Sequence, residues 1–211
     1  MLPVATKAAS SKFRSVNDPS AQAHQRFLLV DTPGHGKLRY HALDNITRRQ
    51  NIKGIIYMVD AANISRTEVN SERAGLSEAS EFLHDILMLL QKRSTKTTSS
   101  RVPHQIPVLI AVNKLDLFTA VPVPLVKTAL EEEITRIRES RSKGLLDSGV
   151  GMGDDVDIGE DKDWLGDGGG GKFEFSQLRE MNVPVVLAGG NVQGSEGVDV
   201  DGWWDWMGTN L

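Results

Sequence analysis

Cysteine is absent from all 211 residues of the chain. That excludes a disulfide framework and any cysteine-ligated metal site, and it fits a protein bathed by cytosol. No apolar run approaches the ~20 residues a membrane-spanning helix needs. The opening stretch MLPVATKAASSKFRSV lacks the apolar centre of a secretory signal. A basic surplus is missing as well. Against 24 Lys and Arg stand 28 Asp and Glu, a net charge of −4, so direct nucleic-acid binding is not expected. What remains is 39% hydrophobic and 25% charged, the composition of one soluble domain with a sizeable core.

Residues 1–25 are polar and without a period, and read as an irregular segment. From residue 26 to 211, apolar strands alternate with amphipathic helices. The strands are RFLLV (26–30, expected to be short and buried), GIIYMVD (54–60), PVLIAVN (107–113) and VPVVLA (183–188). The first helix is expected over about 37–48. The second carries Leu76, Ala79, Leu83, Ile86, Leu87 and Leu90 on one face. A third, over about 124–142, presents Leu125, Ala129, Leu130, Ile134 and Ile137 inward, with Glu132 and Arg136 as an i,i+4 pair. Trp203, Trp204, Trp206 and Met207 predict a closing helix packed on the sheet, with a membrane belt as the less favoured reading. Strands separated by helices imply an α/β fold, a parallel sheet with helices on both faces. The rhythm breaks at about 144–172. Residues 154–167 hold seven acids against Lys162, and four consecutive glycines come next. Such a segment buries too little apolar surface to offset its chain entropy, so a flexible insertion is expected. The spacing of a calcium loop is absent.

Ligands of such sheets bind at the carboxyl ends of the strands, so the residues just past each strand matter most. Asp31-Thr32-Pro33-Gly34-His35 comes after the first. A carboxylate there can hold Mg²⁺ through a water, and a glycine three places on lets its N–H approach a terminal phosphate. The plain alternative is a strand-to-helix turn capped by Asp31. Asn113-Lys114-Leu115-Asp116 comes at the end of the third strand. The Asp116 carboxylate can accept from guanine's ring N–H and exocyclic amine, Asn113 can brace neighbouring loops, and the Lys114 stem can lie along the ring. The alternative is a polar turn. Ala188-Gly189-Gly190 closes the fourth strand, where Gly189 and Gly190 permit a backbone N–H to reach the base, or form an ordinary loop. The two motifs in this order point to a guanine-nucleotide-binding ancestry, with GTP and Mg²⁺ as cofactors.

A phosphate cradle would require Gly-x-x-x-x-Gly-Lys-Ser/Thr between a strand and a helix. Gly166 and Gly171-Lys172 match the spacing, but Phe173 replaces the hydroxyl, no strand precedes, and the order is wrong. The segment reads as a linker. Three missing charged bonds of about 1.5–3 kcal/mol each would lower affinity by roughly 10³–10⁶-fold. GTP is therefore expected to bind weakly, and a titration with a fluorescent analogue should show no submicromolar affinity.

Taken in order, LLVDTPGHGKLRYHALDNI, GIIYMVDAANIS, SEFLHDILMLLQKR, VLIAVNKLDLFTAVP, ALEEEITRIRESRSKGLL, KFEFSQL and WWDWMGTNL resemble the β subunits of the signal recognition particle receptor, in a fungal version. The resemblance runs from about Arg26 to Leu211. It implies an Arf-like small GTPase, a P-loop NTPase-like three-layer sheet, on the cytosolic face of the endoplasmic reticulum membrane. There it would hold the receptor's α subunit for co-translational protein targeting. By position, Asp31 and Gly34 would sense the γ-phosphate and magnesium. Asn113, Lys114 and Asp116 would read guanine, Gly189 with Gly190 would mark the last base-contacting turn, and the 37–48 helix would face the α subunit. The resemblance also implies a membrane anchor, a first strand, a phosphate loop and a first helix that this sequence does not show, so a truncated chain is expected. The strand carrying Asp31 would then lack its central neighbour.

Hydrolysis needs a water aligned on the γ-phosphate, usually by a Gln just after Asp-x-x-Gly. Here that place holds His35. A neutral imidazole is a poor unaided base, so catalysis by His35 is expected to be weak or partner-dependent. Three readings are open: a GTP-regulated receptor subunit, a fragment of a translational GTPase (which also carries His there), or a nucleotide-free scaffold.

Overall fold

The computed structural model describes residues 2–4, 25–64, 74–95, 105–147, 165–166, 171–194 and 197–210. Three parallel strands form the sheet: β3 (Ile55–Asp60), β4 (Val108–Asn113) and β5 (Val185–Gly189), in the order β3-β4-β5. Ile55 stands opposite Val108 and Asp60 opposite Asn113; Val108 in turn faces Val185. β4 is central and wholly apolar up to Asn113, and Val108 to Val112 are fully buried. A strand covered on both faces needs such a run. Because side chains alternate across a strand, Val108, Ile110 and Val112 enter one core while Leu109 and Ala111 enter another.

The larger core is roofed by α3 (Ala74–Thr95) and α4 (Val123–Asp147), with α1 (Tyr40–Arg48) packed on α3. α3 buries Leu83, Ile86, Leu87 and Leu90, the stripe its sequence period predicts. α5 (Asp201–Asn210) covers the opposite face, where Trp203 is buried against Leu109 and Ala111. A four-residue helix, α2 (Ala61–Ile64), succeeds β3 directly. Helices on both faces of a parallel sheet give the three-layer fold expected.

RFLLV departs from expectation. Only Gln25–Phe27 forms a strand, β2, and it pairs antiparallel with β1 (Leu2–Val4) outside the main sheet. Leu28, Leu29 and Val30 are 65%, 57% and 40% exposed. Among the described residues no strand lies along the outer edge of β3, so this apolar run has no ladder to join. Asp31 thus comes after coil, not after a strand of the sheet. The inner face of α4 also differs: Leu125 is exposed, and Val126 takes the buried place ahead of Leu130 and Ile134. Arg136 bonds Glu133 at 2.5 Å instead of Glu132, which pairs with Lys172 at 3.5 Å.

Helix α4 continues through Gly144 to Asp147, into the expected insertion. Most of that insertion, including the acidic run, lies outside the described residues. Phe173, Phe175 and Leu178 are core residues, and Phe173 is fully buried. The Gly171-Lys172-Phe173 run therefore anchors a core aromatic and forms no phosphate cradle.

Candidate nucleotide site

β4 and β5 end side by side, and the loops beyond them are tied together. Asn113 Oδ1 accepts the Lys114 N–H at 2.9 Å and the Val192 N–H at 3.2 Å, so one side-chain oxygen spans both loops. Leu115 N–H donates to the Gly190 carbonyl at 3.3 Å, and Gly190 N–H to the Val112 carbonyl at 3.0 Å. Lys114 has φ 67°, a left-handed conformation that costs a non-glycine residue and that its neighbours must hold.

One such neighbour is Asp60, at the carboxyl end of β3. Its Oδ2 lies 2.6 Å from Lys114 Nζ, while its Oδ1 accepts from the N–H groups of Ala62 and Asn63 at the start of α2. Partial burial acts to raise the Asp60 pKa, but the Lys114 bond and charge, with the two backbone N–H groups, bring it below the ordinary value. A depressed folded-state pKa contributes stability that is present above the unfolded value and lost as pH falls through the folded one. Acidification below the ordinary carboxylate range is expected to release Lys114, seen as movement of its side-chain resonances in an NMR pH series.

Asp116 projects into solvent beside Gly194. A Cβ on Gly194 would come 3.1 Å from Asp116 Oδ2 and 2.8 Å from Asn191 Nδ2, so a larger residue there would have to push these side-chain ends aside. Asn191 is buried; it exchanges backbone bonds with Asp199 at 2.8 and 2.9 Å and donates from Nδ2 to the Gly197 carbonyl at 2.7 Å. Those bonds close the β5–α5 loop and set Gly194 against Asp116.

Gly189 ends β5 and Gly190 is the next residue. A Cβ on Gly189 would overlap Leu115 Cδ1, and one on Gly190 would overlap the Asp199 carbonyl oxygen and crowd the Trp203 ring at 3.0 Å. Both glycines serve close packing. Gly190→Ala is expected to cost about 1–3 kcal/mol by overpacking. Gly202→Ala, with nothing within 4 Å of its Cβ in α5, should be neutral or slightly stabilising. Urea denaturation of both variants measures the contrast.

The Asp31–His35 turn is exposed, and Asp31 makes no hydrogen bond or ion pair among the described residues. The Gly34 carbonyl accepts from Arg39 Nε at 3.3 Å, and nothing lies within 4 Å of where its Cβ would be. His35 caps the 3-10 turn Gly36–Leu38, its Nδ1 accepting the Lys37 N–H at 3.3 Å. That bond puts the ring proton on Nε2, where the ring can donate but not accept.

Among the described residues no hydrogen bond or ion pair joins the turn to the Asp116 loop; its tie is to α3. Arg39 joins Gly34 to Glu78 on α3. Gly75, in the first turn of α3, lies against Asn63 of α2, three residues beyond Asp60. No group of three metal-capable side chains occurs among the described residues, and a lone carboxylate such as Asp31 suits only a mostly hydrated Mg²⁺. Asp60, Asn191 and Gly194 went unread in the sequence. Asp60 alone left a signal there, an acid closing an apolar strand at the ligand-binding end.

A family model described as signal recognition particle receptor beta subunit matches residues 4–183. The signal recognition particle receptor subunit beta of Saccharomyces cerevisiae is 42% identical over 118 residues, 56% of this chain and 42% of its own length. Among solved structures, the Chaetomium thermophilum receptor SRb-GDP-Mg is 39% identical with a TM-score of 0.71, covering 88% of this chain and 80% of that one. The SRb-GTP/SRX complex from the same organism is 36% identical with a TM-score of 0.72, covering 90% and 69%. The chain spans less than half the length of the curated relatives it matches.

Proposed function

The chain belongs to the signal recognition particle receptor beta subunit family, and on that premise we propose that it acts as the guanine-nucleotide-dependent subunit that docks the receptor's α subunit. Its place would be the cytosolic face of the endoplasmic reticulum membrane, in co-translational protein targeting. Among the described residues no helix is long and apolar enough to cross a membrane.

One observation carries the nucleotide half of this reading: Asn113 Oδ1 binds N–H groups of both the β4 and β5 loops, leaving the Asp116 carboxylate exposed beside Gly194. A carboxylate that only accepts suits guanine's paired N–H donors and rejects adenine's acceptor edge. The acceptor at this end fits the base. At the phosphate end the described residues offer Asp31, through a water on Mg²⁺, and the Gly34 N–H, so phosphate binding rests on few groups. GTP bound there would supply a third phosphate whose presence or loss the turn could sense. His35, with its proton on Nε2, is better placed to donate to an oxygen than to take a proton from water, and hydrolysis would need a partner to reorient it. The exposed α1 surface, with the Tyr40 and His41 rings tilted against each other at 4.0 Å between centres, is where the α subunit would read the turn.

Pull-down with the receptor α subunit under GTP, GDP and nucleotide-free conditions tests the whole. GTP-favoured capture supports the reading. Equal capture in all three conditions identifies a nucleotide-independent scaffold, and no capture in any of them removes the assignment of partner.

A further inference from the structure

Arg39, just before α1, reaches three groups at once. Its Nε donates to the Gly34 carbonyl at 3.3 Å, its Nη2 to Glu78 Oε1 at 2.6 Å, and its guanidinium carbon lies 4.9 Å from the centre of the Phe82 ring. The Arg39 side chain is only 18% exposed, although the Glu78 side chain is 59% exposed. Phe82 is buried and meets Tyr57 edge-on at 5.9 Å; the Tyr57 hydroxyl donates to the Ala79 carbonyl at 2.8 Å. One cation therefore ties the Asp31–Gly34 turn to the polar rim of α3 and to its aromatic underside. Only a guanidinium does all this, because its planar fork donates in two directions while its face stays on a ring.

We propose that Arg39 is a positioning residue that couples the Asp31–Gly34 turn to helix α3. This rests on the reading of that turn as the phosphate sensor. Without Arg39 nothing among the described side chains would hold the Gly34 peptide: among the described residues Asp31 makes no hydrogen bond or ion pair, and nothing lies within 4 Å of a Cβ on Gly34. Through α3 the link continues to the base-reading loop: Gly75 lies against Asn63, whose N–H binds Asp60, and Asp60 holds Lys114.

The measurement is amide exchange and chemical shift by NMR on the whole chain without nucleotide, comparing wild type with Arg39→Ala, Arg39→Lys and Glu78→Gln. The Leu38 amide, bonded to the His35 carbonyl at 2.8 Å, reports the turn; the 78–82 amides report α3. Arg39→Ala should speed Leu38 exchange about tenfold or more, the scale of a lost charged bond. It should also shift both sets of amides and leave those of β4 unmoved. Arg39→Lys should restore the 78–82 shifts through its pair with Glu78 but not the turn, because a single ammonium nitrogen drawn to Glu78 does not replace the separate Nε donor that reaches the Gly34 carbonyl. Glu78→Gln should also speed Leu38 exchange by loosening Arg39, but since Glu78 Oε1 lies 3.8 Å from where a Cβ on Gly36 would be, the Arg39 variants are the decisive arm. Unchanged Leu38 exchange in Glu78→Gln, or in both Arg39 variants, overturns the proposal. Arg39→Lys and Glu78→Gln preserve bulk, so a fold lost in Arg39→Ala leaves the outcome readable. No nucleotide is used, so a failure of guanine binding would count against the proposed function alone.

Discussion

Asp116→Asn is expected to lower affinity for guanosine nucleotides about ten- to a hundredfold and to raise affinity for xanthosine nucleotides. The carboxylate would accept two N–H groups of guanine, and charged bonds of this kind contribute about 1.5–3 kcal/mol each. An amide offers one acceptor and one donor, so one guanine donor would meet another donor. Xanthine carries a carbonyl where guanine carries its amine, and the same amide satisfies it. The substitution keeps the side chain's shape, so the close approach of Gly194 is undisturbed. Binding is expected to be weak throughout, and the comparison requires titration to millimolar nucleotide, monitored through the amides of the 113–118 loop. Equal guanosine affinity in the two proteins would remove Asp116 from the site. A loss that extends equally to xanthosine would show only a damaged loop.

Much of the fold was legible because its strongest elements carry one-dimensional signals. VLIAV is apolar at five consecutive positions, as a strand covered on both faces requires, and β4 is that strand. The stripe in α3 recurs at helical spacing and is buried where the period puts it. RFLLV carries the same apolar signal and misleads, because a strand also needs a neighbour, and the outer edge of β3 offers none among the described residues. Leu125 fails for a smaller reason. Three and four residues before Ala129 and Leu130 stands Val126, which competes for the same inward face and takes it, leaving Leu125 58% exposed.

The site divides in the same way. Asn113, Lys114 and Asp116 are spaced within one turn, and spacing is what a sequence displays. The groups that hold them come from elsewhere in the chain. Asp60 is 54 residues from Lys114 and Arg39 is 39 from Glu78. Such pairs are made by strand register and helix docking, and no local pattern announces them. The glycines show the converse. Gly189 and Gly190 stand out in the sequence as a permissive turn, yet their observed work is to admit Leu115 and Trp203. Gly194, which meets the Asp116 carboxylate, looks no different from the others until the loop is closed by Asn191.

Phe173→Ala is expected to cost about 3–5 kcal/mol, a large share of a typical domain's stability. The ring is fully buried, meets Phe175 edge-on at 5.5 Å and 84°, and lies 5.7 Å beneath the Arg138 guanidinium. Its backbone is tied down as well: Phe173 N–H donates to Thr135 Oγ1 at 3.0 Å and Phe175 N–H to the buried Glu131 carboxylate at 2.9 Å. Those bonds prevent the segment from sliding into the space a missing ring would leave, so a cavity persists, and a persistent cavity is what raises the cost. Lys172, one residue earlier, is exposed and faces Glu132 at 3.5 Å, an arrangement worth at most a few tenths of a kcal/mol. Lys172→Ala should therefore leave both stability and nucleotide affinity unchanged. Urea denaturation of the two variants, with a GDP titration of Lys172→Ala, separates the possibilities. A large Phe173 effect beside a silent Lys172 marks the segment as the strap that fastens α4 to the sheet. A loss of GDP affinity in Lys172→Ala would instead make the glycine run a phosphate loop after all, and the core placement of Phe173 would have to be wrong.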